Sequence, residues 1–239
     1  MVAPQGYLVY TNFSYTGRYN EGMGYIRYQN AVDILSKESM FSQITPQWVF
    51  NKLSRSFYNS MMGVDLTSPK SSPENFTGWT LDQDYIPRRS STASIAIQGV
   101  KEGENPEMTI MWTVLGYPPA GVALPVMVKS GHKQPSVLVK SSKSDNAPAC
   151  DMALQLKAVT FANKRGSGQR YMNFNLIYNS ERTGYMQELA PVENYIETLF
   201  KEPIERWRRE GLNINELIRY QKDADDAVIN GYLNLTVAK

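Results

Sequence analysis

The sequence predicts a mixed α+β domain built in layers, and three observations lead there. A central block of aromatic and β-branched runs, separated by turn residues, reads as strands. Stripes of apolar residues at helical spacing lie on both sides of that block. The resulting order of strand, helices, strands, helices lacks the alternation of a βαβ repeat. With 239 residues, 42% of them hydrophobic and 20% charged, the chain can bury one large core, so residues 1–239 read as a single domain.

Residues 6–13 (GYLVYTNF) predict a first strand, followed by a polar, Gly-containing loop. Tyr28, Ala31, Val32 and Leu35 then recur at i, i+3, i+4, i+7 and predict a helix over residues 25–37. Thr45 before Pro46 is an N-cap followed by a first-turn proline, which opens a second helix expected to reach residue 58. The stretch 67–78 (TSPKSSPENFTG) has no periodicity and reads as a surface loop that interrupts the domain without dividing it. Three runs, STASIAIQGV, EMTIMWTVLG and GVALPVMVKSG, are joined by the turn-forming links KEGENP and YPPA and should be antiparallel neighbours. After Pro148 the pattern becomes helical, and NKRGSGQR follows as a Gly-rich basic loop. Val192, Tyr195, Ile196, Leu199, Phe200, Ile204 and Trp207 mark a helix that starts near Pro191, is interrupted by Pro203 and stops at Gly211. Asn213 and Glu216 form an N-x-x-E cap for a last helix carrying Leu217, Tyr220, Ala224 and Val228.

Charge and rare residues restrict the chemistry. Lys and Arg total 25 against 23 acids, a net charge of +2, and the cations are scattered, so nucleic acid is not an expected partner. The longest apolar run, GVALPVMV at 121–128, falls far short of the roughly 18 residues a membrane-spanning helix needs. The start, MVAPQGYLVYTNF, shows no basic n-region or cleavage site and therefore no export signal. Cys150 and His132 are each the sole residue of their type, which excludes an internal disulfide and a Cys/His zinc cluster and leaves only His132 for a triad.

Each candidate site also has a structural reading. Cys150 reads as a small buried hydrophobe, or as a nucleophile with His132 as base; the neighbouring Asp151 would raise its pKa and argues against activation. RGSGQR, residues 165–170, reads as a solvated turn or as a phosphate cradle without its flanking strand and helix. Asp223, Asp225 and Asp226 read as a wet helix face or, by composition only, as a metal cluster. Asn12 and the Arg88-Arg89 pair each sit where a strand meets a loop in aromatic surroundings. Such an Asn can donate to an oxyanion, and such an Arg can fix a carboxylate or orient a nucleophile; a purely structural role is the other reading.

YLVYTNFSYTGRYNEGMGYIRY, IPRRSSTASIAIQGV, MTIMWTVLGYPPAGVALPVMV and GYMQELAPVE together resemble the C-terminal two-thirds of the linear-amide hydrolases and acyltransferases related to choloylglycine hydrolase, penicillin V acylase and isopenicillin-N acyltransferase. The subgroup common in gut Bacteroidetes is the one most resembled. The likeness spans nearly the whole chain, and W-x-x-L-G-x-P at 112–118 is its most specific piece.

The resemblance implies a four-layer αββα N-terminal-nucleophile fold without its first strands. In that family a processed N-terminal cysteine attacks the amide carbonyl, its own α-amino group is the base, and neither metal nor cofactor takes part. By the same likeness Thr11-Asn12 matches the motif whose Asn serves the oxyanion hole, and Arg88 the family's active-site arginine, with Arg89 as the alternative. Tyr10, Phe13, Tyr15 and Arg89 become candidate substrate-binding residues for a small-molecule amide with an apolar acyl group. The family's nucleophile cysteine belongs to strands that would precede this sequence, so the chain is expected to be inactive alone and to need a missing N-terminal segment or a partner copy. A degenerate binding module of the same fold is the alternative. Relatives are often exported, and the location of this chain is left open.

Overall fold

A computed structural model describes residues 7–11, 24–38, 44–70, 73–142 and 144–236. The chain mixes helix and sheet in an α+β arrangement. Residues 7–11 run alongside α1 (Tyr25–Glu38) without joining a ladder, so the first predicted strand is not formed there. Within α1 the buried positions are Arg27, Asn30 and Ala31, and the predicted apolar stripe is only half-buried apart from Ala31. Thr45 caps α2 (Pro46–Trp48) by accepting from the Trp48 N–H at 3.1 Å, and the helix continues as a π-helical stretch over Val49–Ser54. It stops short of residue 58 because Tyr58 enters the small ladder β1 (Tyr58–Asn59) with β2 (Val64–Asp65). The described parts of the predicted loop, 67–70 and 73–78, lead into β3 (Trp79–Thr80).

The central sheet follows the expected hairpin order. β4 (Ala93–Gln98), β5 (Ile110–Leu115) and β6 (Leu124–Met127) are antiparallel neighbours with β5 in the middle. Alternation assigns the two faces. Ala96, Trp112 and Pro125 share one row and Gln98, Ile110 and Met127 the next, on the face turned into the core. Pro125, which cannot donate to a ladder, sits on an edge strand where that costs least. The opposite face carries the row Ile97, Met111, Val126, and there Ile97 is 71%, Ile95 51% and Met111 36% exposed.

The bend from β5 to β6 is the W-x-x-L-G-x-P segment, and it is buried rather than displayed. Gly116 has φ +78°, and a Cβ there would stand 2.7 Å from Ala153 Cβ and 3.1 Å from the Cys150 carbonyl oxygen, so only glycine lets α3 (Pro148–Thr160) approach this closely. Tyr117 is fully buried with its ring edge-on to Phe161, centroids 5.6 Å apart.

Beyond α3, β7 (Lys164–Gly166) and β8 (Gln169–Arg170) form a short hairpin, so RGSGQR is a strand-turn-strand with Gly166 and Gly168 at positive φ. β9 (Met172–Asn173) pairs back to β3. α4 (Tyr185–Glu210) begins six residues before Pro191 and passes through both Pro191 and Pro203. Its start is fixed by Gln187, whose Oε1 accepts from the Gly184 N–H at 3.3 Å and the Asn179 N–H at 2.9 Å. Ile196, Phe200, Ile204 and Trp207 are buried, each contributing about 1.5–3 kcal/mol by removal from water. α5 (Ile214–Leu233) is capped as expected, Asn213 Oδ1 accepting from the Glu216 N–H at 3.2 Å. The Glu216 carboxylate turns to Arg206 and to the Trp207 indole N–H, tying the two helices together. Among the described residues no helix is long and apolar enough to cross a membrane.

Candidate functional site

Residues 8–11 form one wall of a cavity of about 350 Å³. Arg27, Ala31 and Leu35 of α1 form another, and Leu53 and Ile86 close it. Tyr10 is exposed on this wall, while Asn12, Phe13 and Tyr15 lie outside the described residues. The segment is tied to α1 through Tyr7, whose hydroxyl donates to the Val32 carbonyl at 3.5 Å, and through the Thr11 hydroxyl, which donates to the Gly24 carbonyl at 3.5 Å. α1 is in turn fixed to the chain leading to Arg88. Arg27 donates to the Gln83 carbonyl at 2.9 Å, and Asn30, fully buried, donates to the Asp84 carbonyl at 2.8 Å while accepting from the Ser60 N–H at 2.7 Å. Gly24, at φ +102°, permits this arrangement: a Cβ there would fall 2.4 Å from the Arg27 guanidinium.

The loop bearing the arginine pair is organised by Asp82, a buried carboxylate that accepts from the Arg89 N–H. Ser91 closes it, its hydroxyl accepting from the Arg88 N–H at 3.2 Å. The two guanidinium groups then part. Arg88 acts electrostatically on Arg27, whose pKa is lowered by burial first and by the Arg88 cation second, with Asp84 and Asp82 opposing. Arg89 instead donates to the Gly168 carbonyl at 3.2 Å and presses on Lys157. The structure therefore brings Arg88 and the segment entering Asn12 around one group, Arg27, and sets Arg89 elsewhere.

Cys150 is the third residue of α3 and partly exposed. Burial, then the Asp151 carboxylate, push its thiol up, with Lys157 opposing; His132 is exposed on a turn and is not among the groups acting on it. Among the described residues no three His, Cys, Asp or Glu side chains gather to hold a metal ion. Asp225 corrects the wet-face reading of its acidic run. It is buried and accepts from Ser136 N–H at 2.6 Å, Ser136 Oγ at 2.7 Å and Val137 N–H at 3.3 Å, and Asp226 alone is fully on the wet side.

Sequence reasoning missed a buried ion pair, Arg55 with Glu193, on the wall of a second cavity of about 650 Å³. All five Arg55 donors are engaged: Nε with the Pro118 carbonyl at 2.9 Å, Nη1 with Asn51 Oδ1 at 3.2 Å and Glu193 Oε1 at 2.8 Å, and Nη2 with the Gly121 carbonyl at 3.0 Å and Glu193 Oε2 at 2.7 Å. Glu193 also accepts from the Ala123 N–H at 2.8 Å, and the Tyr232 hydroxyl donates to the Ala120 carbonyl at 2.6 Å. The pair thus holds the β5–β6 bend from below. Its signal was in the sequence, since Glu193 falls on the apolar spacing of Leu189, Ile196 and Phe200.

Compared with protein-family models, with curated proteins and with solved structures, the chain gives no match.

Proposed function

We propose that this chain is the C-terminal portion of an amidase or acyltransferase acting on linear amide C–N bonds, with Asn12 and Arg88 as its contribution to the site. One observation carries the proposal. The segment that runs into Asn12 and Ile86, two residues before Arg88 and far away in sequence, line one partly apolar cavity together with Arg27, the group on which the Arg88 cation acts. In the proposed reaction a cysteine thiolate adds to the amide carbonyl, and the side-chain N–H of Asn12 donates to the oxyanion. The C–N bond then breaks as the amine takes a proton from the nucleophile's own ammonium group, and water or a second amine releases the acyl group from sulfur. Arg88 fixes the substrate's carboxylate or orients the nucleophile.

The nucleophile in this proposal lies outside these 239 residues, on a longer precursor or a partner chain. Cys150 is a poor substitute, because burial first and the Asp151 carboxylate second push its thiol up even in the first turn of α3. The outward row of β4–β5–β6, with Ile97 and Met111, is where the second sheet of a four-layer αββα sandwich would pack. The same exposed row supports a second reading, a non-enzymatic module that keeps the fold and binds a partner through this face.

The test is release of amine from N-acyl amino acids and from penicillin V. The chain alone should show none, and the same chain joined to an upstream segment led by cysteine should turn over, with Arg88→Gln reducing the rate at least tenfold, a loss of about 1.4 kcal/mol or more in transition-state stabilisation. Turnover unaffected by Arg88→Gln would remove Arg88 from the site. An extended protein that folds yet stays inactive would favour the binding module.

A further inference from the structure

A separate cavity of about 370 Å³ lies against the C-terminal half of α3, bordered by Arg89, Lys157, Arg170, Leu154, Ala158 and Phe161. Three cations from three parts of the chain face it, and among the described residues no carboxylate lines it. Among the described residues none of the three forms a salt bridge with an acidic side chain. The end of α3 explains one of them. Arg170 donates to the carbonyls of Phe161 at 3.0 Å and Ala162 at 2.8 Å, the free acceptors beyond the last turn. It does not explain Arg89, which is carried in by the Asp82-anchored loop and spends one Nη2 bond on the Gly168 carbonyl. Nor does it satisfy Lys157, whose ammonium makes no hydrogen bond among the described residues while burial first, and the Arg89 cation second, lower its pKa. Gathering like charges at a half-buried ammonium is unfavourable unless something negative arrives between them.

We infer that this cavity is a binding site for an oxyanion group, phosphate or carboxylate, carried on a small apolar body. The two guanidinium forks and the ammonium supply charge-assisted donors to the oxygens, and Leu154 and Ala158 receive the apolar part. The inference does not rest on amide cleavage, since it concerns a different cavity and a binding measurement.

The experiment is titration of the whole chain with phenyl phosphate and, separately, with benzoate, by calorimetry at fixed ionic strength so that diffuse surface attraction is screened alike in every run. Saturable binding of either, with Kd of about 1 mM or tighter, is expected, and the stronger binder identifies the oxyanion. Arg89→Gln and Lys157→Met should each weaken it about tenfold, as for loss of one charge-assisted bond. Lys164→Gln, on the exposed β7 outside the cavity, should leave it unchanged. Should Lys157→Met fail to fold, Arg89→Gln, an exposed turn position, carries the test. No saturable binding of either compound, or an equal loss in Lys164→Gln, overturns the inference.

Discussion

Removing Glu193 tests whether the β5–β6 bend depends on the buried ion pair. The side chains of Arg55 and Glu193 are 7% and 6% exposed, so Glu193→Ala leaves a guanidinium charge in the interior with two unmatched donors and strips the Ala123 N–H of its acceptor. Breaking a buried pair from one side costs about 3–5 kcal/mol, because the remaining charge stays desolvated. For a domain of this length each kcal/mol moves Tm by roughly 2–4 °C, so a fall of about 6–20 °C is expected. The assay is calorimetric or circular-dichroism melting of wild type, Glu193→Ala, Arg55→Met and the Arg55→Met/Glu193→Ala double variant. The double variant removes both charges, and its residual cost comes from the Pro118 and Gly121 carbonyls that Arg55 no longer serves. The cycle should therefore show a coupling of about 2–3 kcal/mol. Single variants each costing less than about 1 kcal/mol, or effects that add within about 0.5 kcal/mol, would refute the assignment.

Three further outcomes are expected. Gly116→Ala should cost about 2–5 kcal/mol in urea unfolding, from positive φ and the clash with Ala153, whereas Gly103→Ala, at φ +83° with nothing near its Cβ, should cost about 1 kcal/mol; equal effects would mean that helix approach is not what glycine serves at 116. Asp225→Ala should destabilise by about 1.5–3 kcal/mol and Asp226→Ala by less than about 0.5, and the reverse order would return Asp225 to the wet face. Because burial and Asp151 raise the Cys150 thiol, the thiolate fraction at neutral pH is small, and alkylation by iodoacetamide should run slower than for free cysteine and speed up only at alkaline pH. Alkylation faster than free cysteine, and slowed by His132→Ala, would make Cys150 an activated nucleophile.

Local patterns in the sequence were sufficient wherever neighbours along the chain decide the structure. Thr45-Pro46 and Asn213 cap their helices as read, though Glu216 turns away to Arg206 and Trp207, and the three apolar runs form the expected antiparallel sheet. The readings that fail do so for two reasons, a local cap that overrides proline as a start signal and partners far away in sequence. Pro191 looked like a helix start, but the Gln187 side chain caps the chain earlier and packing of Leu189 and Ile196 carries the helix through proline. The apolar stripe predicts α1, yet the helix docks through Arg27 and Asn30, whose acceptors are carbonyls more than fifty positions away. Of the candidate site, Arg88 and Tyr10 come with their surroundings described, whereas Asn12, Phe13 and Tyr15 lie outside the described residues. The separation of Arg88 from Arg89 was beyond sequence reasoning, because it follows from Asp82 gripping the Arg89 backbone and from the β7–β8 hairpin offering the Gly168 carbonyl.

The central proposal is that an amide-cleaving site bordered by Asn12 and Arg88 takes its nucleophile from outside this chain. The most direct measurement is amine release from penicillin V by the 239-residue chain alone, by its Cys150→Ser variant, and by the chain extended with a cysteine-led segment. Turnover is expected only in the extended protein, and should be lost when the leading cysteine is replaced. Turnover by the chain alone, whether or not it survives Cys150→Ser, would contradict it.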